Sequence, residues 1–203
     1  MGISEDRKSR RRKEILKAAA PLFVKKGFEG TSFNEIAVKA RASKETLYAW
    51  FGSKTEILRE LLHEREDTLV RTVAAEAPGG EPEQVLYVFA REVLRELANT
   101  PSLRLFNAAL SVAPRDGDLR DLLADRIDPT PLATRLMLWR AMGLMAFEDA
   151  QRTAMVFGVM VQGDYPVRLT AGLIDTISDE EIEAHARFVT KMFLKSVAPP
   201  ARR

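Results

Sequence analysis

The sequence predicts an all-α fold. Apolar residues recur at three- and four-residue spacing along most of the 203 residues, and no stretch sustains the two-residue alternation of a half-buried strand. Ser, Thr, Gly and Pro fall where helices are expected to start and stop. The chain is 46% hydrophobic and 30% charged, enough apolar material for a core at this length.

The basic run "RKSRRRK" (Arg7 to Lys13) leads into a first helix with Ile15, Leu16, Ala19, Leu22 and Phe23 on one face. Gly27 is its expected C-terminal cap, and Pro21 inside it removes a hydrogen bond and predicts a kink. A short second helix begins at Ser32, where Ser32 and Glu35 have capping-box spacing. Phe33, Ile36, Ala37 and Ala40 form its apolar face, and Arg41-Ala42 breaks it. Ser43 caps a third helix through Phe51. Gly52-Ser53 ends that one, and Ser53 caps a fourth from Lys54 to about Ala75, with Ile57, Leu58, Leu61, Leu62, Leu69 and Val73 apolar. "PGGEP" (Pro78 to Pro82) is a turn. Helices are then expected at 83–98, 101–112, 115–127, 131–145, 148–163 and 179–197, with Thr100 capping one and "SDEE" (Ser178 to Glu181) forming a second capping box.

The stretch "ASKETLYAWFGSK" (Ala42 to Lys54) places three aromatics within four positions. On a wheel of about 100° per residue, Leu47 and Phe51 face a core, while Glu45, Thr46 and Ala49 point away. Lys44 and Tyr48 flank the outer face on one edge and Trp50 on the other. A helix this short needs its neighbours to be stable. Short helix, tight turn and short second helix is the helix-turn-helix arrangement, whose second helix enters the DNA major groove. Glu45 and Thr46 then suit base edges, and Ala49 a thymine methyl. Lys44, the Tyr48 hydroxyl, the Trp50 indole N–H and Lys54 suit phosphates. Packing of Tyr48 and Trp50 on the fourth helix is the alternative.

Charge is unevenly placed. Residues 1–55 carry 13 Lys/Arg and 6 Asp/Glu, a net +7; residues 56–203 carry 18 and 23, a net −5. A basic end of this kind fits either a polyanion partner or a solvated tail.

The run "ILKAAAPLFVKKGFEGTSFNEIAVKARASKETLYAWFGSKTEIL" strongly resembles the N-terminal domain of TetR-family transcriptional regulators, without a gap from about Arg11 to Leu58. "RLFNAAL", "FEDAQRTAMVFGVMVQGDYPVRLTAG" and "ISDEEIEAHARFVTKMFL" resemble, more weakly, the AefR-like C-terminal domain. The resemblance implies a homodimeric, ligand-responsive regulator, usually a repressor. It implies DNA-binding positions at Thr31, Ser43, Lys44, Glu45, Thr46, Tyr48, Trp50 and Lys54, with base contacts common at Lys44 to Thr46. Three positions depart from the family pattern: Arg41 stands where Gly is usual, Glu45 where Gly is frequent and Trp50 where His is frequent. A left-handed backbone at Arg41 would be mildly strained.

The expected division is a DNA-binding domain at 1–52 and an effector-binding and dimerisation domain at 53–203, linked by helix 54–75. Helices 148–163 and 179–197 carry apolar stripes (Val156, Val159, Met160, Val189, Met192 and Phe193) suited to a four-helix dimer interface. An apolar or amphipathic effector is expected among Phe89, Phe106, Leu110, Trp139, Met142, Met145, Met155 and Val159, with the Trp139 N–H for orientation and Arg104, Arg135 and Arg140 leaving room for an anionic group.

Other chemistries lack their residues. There is no cysteine, which excludes disulfides, thiolate metal sites and Cys nucleophiles. "FGSKT" lacks phosphate-loop spacing, and His63 and His185 form no H-E-x-x-H or paired pattern. No catalytic constellation, cofactor or metal is expected. No signal region or span-length apolar run is read, so the expected place is the cytoplasm and no membrane partner is foreseen. The rival reading is a small-molecule carrier or enzyme on a helical bundle, supported by Met137, Met142, Met145, Met155, Met160, Phe147 and Phe157; such a protein would have no use for the basic end.

Overall fold

Cap chemistry and apolar spacing resolve, in a computed structural model, into eleven α-helices and no strand among the described residues. The structure describes the backbone of residues 2–126 and 129–200, and their side chains except those of 2–6, 63–70, 100, 122, 125 and 126. Expectations for His63, Leu69, the Thr100 cap and Ile127 lie outside the described residues. The helices are α1 (Gly2–Lys26), α2 (Phe33–Ala40), α3 (Lys44–Phe51), α4 (Lys54–Glu76), α5 (Pro82–Ala98), α6 (Thr100–Val112), α7 (Gly117–Arg126), α8 (Thr130–Ala141), α9 (Ala150–Gln162), α10 (Tyr165–Thr170) and α11 (Asp179–Ser196), with a 3-10 turn at Ala113–Arg115.

Packing divides the chain into two compact units. The first holds residues 1–67 and 101–126, so it contains α1 to α3, the start of α4, and α6 and α7. The second holds 68–100 and 127–203. The packing boundary therefore does not follow residue 52. Ile57, Leu58 and Leu62 of α4 and Leu105 and Ala109 of α6 are buried in one core with Ile15, Phe23, Ile36 and Leu47. Each such fully buried Leu, Ile or Phe side chain contributes about 1.5–3 kcal/mol, which explains why helices as short as α2 and α3 hold their shape. Thr55 of α4 also donates to Asp116, at 3.2 Å.

The second unit is built on Leu86, Leu94, Leu136, Phe157, Ala186 and Phe193. Phe157 sits between Phe89 and Phe193, with ring centroids 6.1 and 4.6 Å away.

Most boundaries follow the sequence pattern, and the differences have local causes. α1 runs as one helix through Pro21 to Lys26, and Gly27 follows at φ 72°. α8 stops at Ala141 instead of 145, because Gly143 turns left-handed at φ 74° and the Leu144 amide folds back to the Trp139 carbonyl at 2.9 Å. α7 starts at Gly117, where Asp116 accepts from the Leu119 amide at 3.1 Å. α9 starts after Asp149, which caps Arg152 at 3.0 Å. The six-residue α10 was not foreseen; its signal is Pro166 in the first turn behind Asp164. At α11 only half of the expected capping box forms. Ser178 accepts from the Glu181 amide at 3.2 Å, but the Glu181 carboxylate takes the Tyr165 hydroxyl instead.

Candidate nucleic-acid interface

The interface begins with two caps. Ser32 accepts from the Glu35 amide at 3.2 Å and Glu35 accepts from the Ser32 amide at 2.9 Å, so the capping box that starts α2 is complete. Glu35 also takes the Lys26 ammonium. That bond, with the Ser32 contacts, lowers its pKa to about 2. Ser43 starts α3 by accepting from the Thr46 amide at 3.1 Å, and its hydroxyl lies 3.0 Å from that of Thr46.

The turn between α2 and α3 holds the predicted strain. Arg41 is left-handed, at φ 50° and ψ 46°, the conformation a glycine would adopt without cost. Its amide and that of Ala42 close the end of α2 on the Val38 and Ala37 carbonyls, at 3.1 and 2.9 Å.

α3 divides as the wheel predicts. Leu47 and Phe51 are buried; Ser43, Lys44, Glu45, Tyr48 and Ala49 are exposed; Thr46 and Trp50 are partly exposed. Tyr48 is 57% exposed and stacks on Phe33 at 4.5 Å, which holds its hydroxyl outward. Glu45 is held below the usual carboxylate range by a backbone amide at the helix start and by the Ser43 hydroxyl. It is therefore an obligate acceptor near neutrality.

Two expected DNA-binding positions are placed differently. Thr31 is 1% exposed and its hydroxyl donates to the Gly27 carbonyl at 2.8 Å, so that side chain is not offered to a ligand. Lys54 donates to the carbonyls of Phe28 and Thr31 at 2.6 and 2.8 Å and lies 4.3 Å over the Phe28 ring. Burial pushes its pKa down, partly countered by Glu29. Its charge suits a phosphate, but the fold uses at least two of its three donors to close the loop after α1. Trp50 packs partly against the core, and its carbonyl accepts from Arg12 at 2.7 Å.

Arg11 and Arg12, part of the basic run, brace α2 and α3 from α1. Arg11 donates to the Ala40 and Arg41 carbonyls at 2.7 and 2.6 Å, closing α2. Arg12 makes a forked pair with Glu60, reaches the Trp50 carbonyl and lies 4.3 Å from the Phe51 ring centroid. Its pKa is raised, chiefly by the Glu60 hydrogen bond. The signal was available: residues 11 and 12 precede Ile15 and Leu16 by one helical turn, on the buried face. Arg7, Lys8, Arg10 and Lys13 remain exposed.

In the second unit, α9 and α11 expose Met155, Val156, Val159, Phe188 and Met192. Val189 and Phe193, expected in the same stripe, are buried in the unit's own core. One turn of α11 cannot present them to both sides. The residues expected around an effector do not converge on one cavity. Met142 and Val159 are 70% and 66% exposed, and Met155 and Leu110 are also exposed. Trp139 and Met145 are buried core, and the Trp139 indole N–H is taken by the Gly80 carbonyl at 3.0 Å. Phe89 is partly buried against the same core, whereas Phe106 and Leu110 belong to the first unit. Nor do the methionines of the rival carrier reading share an interior: Met137 is exposed with Met142 and Met155, and Met160 is partly buried. No described helix is long and apolar enough to cross a membrane.

Comparison with known proteins agrees with this arrangement. Residues 84–196, over half of the chain, match the domain described as "AefR-like transcriptional repressor, C-terminal domain". The repressor KstR of Rhodococcus jostii (strain RHA1) is 28% identical over 130 residues, covering 62% of this chain and 61% of KstR. The activator FasR of Mycolicibacterium smegmatis (strain ATCC 700084 / mc(2)155) is 40% identical over 63 residues, covering 31% of this chain and 29% of FasR. The chain thus matches only part of the length of these curated relatives. Among solved structures, a TetR-family transcriptional regulator of Mesorhizobium loti MAFF303099 superposes with a TM-score of 0.79 at 25% identity, covering 94% of this chain and 98% of that one. The flavonoid-responsive regulator FrrA superposes at 0.74 with 29% identity, covering 95% of this chain and 100% of its own. With the helix-turn-helix at residues 15–61 matching "Bacterial regulatory proteins, tetR family" as well, the chain belongs to the TetR family.

Proposed function

We propose that this chain is a DNA-binding transcriptional regulator that acts as a dimer on a near-palindromic operator and is released by a small molecule, most simply as a cytoplasmic repressor. The observation that carries the reading is the split of α3: Leu47 and Phe51 are buried, while Ser43, Lys44, Glu45, Tyr48 and Ala49 stay exposed beside a basic α1. In this reading Lys44 and the Tyr48 hydroxyl hold phosphates, and Glu45 and Thr46 read base edges, Glu45 as acceptor from cytosine N4. Met155, Val159, Phe188 and Met192 supply the face on which two copies meet, which sets the two α3 helices one DNA turn, about 34–36 Å, or somewhat more apart. α4 contributes to both compact units, so a ligand that favours another tilt of α4 lowers DNA affinity by its differential affinity for that state.

Selection of bound genome fragments with purified protein, followed by anisotropy titrations at several salt concentrations, tests this. Lys44→Ala and Tyr48→Phe are expected to weaken all bound sequences, whereas Glu45→Ala and Thr46→Ala change which sequence is preferred. Negligible affinity at moderate salt would remove the DNA function. Equal losses from all four variants would remove the division of roles.

A further inference from the structure

The second unit carries a groove that neither α3 nor the exposed face of α9 and α11 uses. It runs between the first turn of α5, one side of α11 and the turn after α8. Two cavities make it up, of about 600 and about 280 Å³, and they share Glu81, Pro82 and Leu144. Together they fall within the size of small-molecule sites, roughly 300–1,000 Å³.

One end is built for negative charge. α5 has no side-chain cap, and its first backbone bond runs from the Val85 amide to the Glu81 carbonyl at 3.0 Å. The Glu83 and Gln84 amides precede it and lack an intrahelical acceptor, at the positive end of a 17-residue helix. Thr190 also lines this cavity. It is 1% exposed, and its hydroxyl has no hydrogen-bond partner, which is unusual for a buried polar group. Lys191 lines the cavity too and enters no ion pair among the described residues. Arg187, by contrast, is engaged by the Tyr87 hydroxyl and Glu183, each at 3.4 Å. Glu81 and Glu83 are exposed residues of the lining, set against Arg135, Arg187 and Lys191.

The other end is apolar. Leu138 and Met142 are exposed beside Leu144 and the buried Trp139 ring. On α11 the groove residues 187, 190, 191 and 194 occupy a different side from Phe188 and Met192, so this site and the self-association face are separate.

We propose that this groove binds an amphipathic organic anion. Its carboxylate sits at the first turn of α5 with Thr190 and Lys191, and its apolar body lies along Leu144 toward Leu138 and Met142. The assignment deepens the ligand-responsive reading and rests on it only for the consequence at DNA.

The test is calorimetric titration of the full chain, without DNA, with decanoate and with decyltrimethylammonium. Decanoate is expected to bind saturably, and the cation of equal chain length at least about tenfold more weakly. Lys191→Gln and Leu144→Asp should each weaken decanoate about tenfold or more. Thr190→Val, nearly isosteric, should weaken it while leaving the circular dichroism melt intact, which separates lost binding from lost folding. Absence of saturable decanoate binding, equal binding of the two probes, or indifference to both Lys191→Gln and Leu144→Asp would overturn the proposal. If decanoate binds here yet leaves operator affinity unchanged, the site stands and the ligand-release reading fails.

Discussion

Arg12 offers the sharpest test of how the fold holds α3. Replacing it with Met keeps much of the stem and removes the guanidinium. Three interactions are lost: the forked pair to Glu60, whose side chain is only 22% exposed; the 2.7 Å bond to the Trp50 carbonyl near the end of α3; and the position over Phe51 at 4.3 Å. An exposed ion pair contributes about 0.2–1 kcal/mol, and a hydrogen bond to a charged group about 1.5–3. This partly buried pair belongs in the lower part of the second range, near 2. The carbonyl bond and the ring contact add about 0.5–1 each, and the terms overlap. The expected loss is about 2–3 kcal/mol. At about 2–4 °C per kcal/mol for a chain of this length, the melting midpoint falls by about 4–12 °C. Arg12→Lys keeps the charge but not the fork, and should lose at least half as much. Calorimetric melts are paired with operator titrations across salt. Both variants should weaken DNA binding without changing the slope of log K against log salt, because no phosphate contact is removed. An unchanged midpoint together with a slope reduced by about one would refute the reasoning and make Arg12 a phosphate contact.

Glu35 titrates near 4.5 in the unfolded chain and at about 2 when folded. Its contribution is therefore full above pH 4.5 and is lost as pH falls toward 2, so Glu35→Gln should lower the melting temperature at pH 6 and make little difference near pH 2. Arg41→Gly relieves the left-handed turn and should stabilise the chain by about 0.5–1 kcal/mol, read as a higher urea midpoint with an unchanged slope; a lower midpoint would mean the turn is unstrained. Met155→Asp combined with Met192→Asp places charge on residues already exposed in one protomer, so helical content should persist while light scattering shifts from dimer to monomer.

Local spacing along the chain places the caps at Ser32, Ser43 and Ser178, the end of α1 at Gly27, and the buried and exposed sides of α3. These follow from spacing within one or two turns, where a side chain meets only its own helix. Tertiary structure decided everything that needed a distant partner. It turned Arg11, Arg12 and Lys54 from apparent DNA charges into donors for backbone carbonyls between 23 and 38 residues away. It buried Thr31, placed Phe106 and Leu110 outside the unit that holds Trp139, and left Met142 and Val159 on the surface of the single chain. The physical reason is that periodicity reports which side of a helix is apolar, and not which core, groove or partner that side meets; a cation in a basic run reads the same whether its nearest acceptor is a phosphate or a folded chain's own carbonyl.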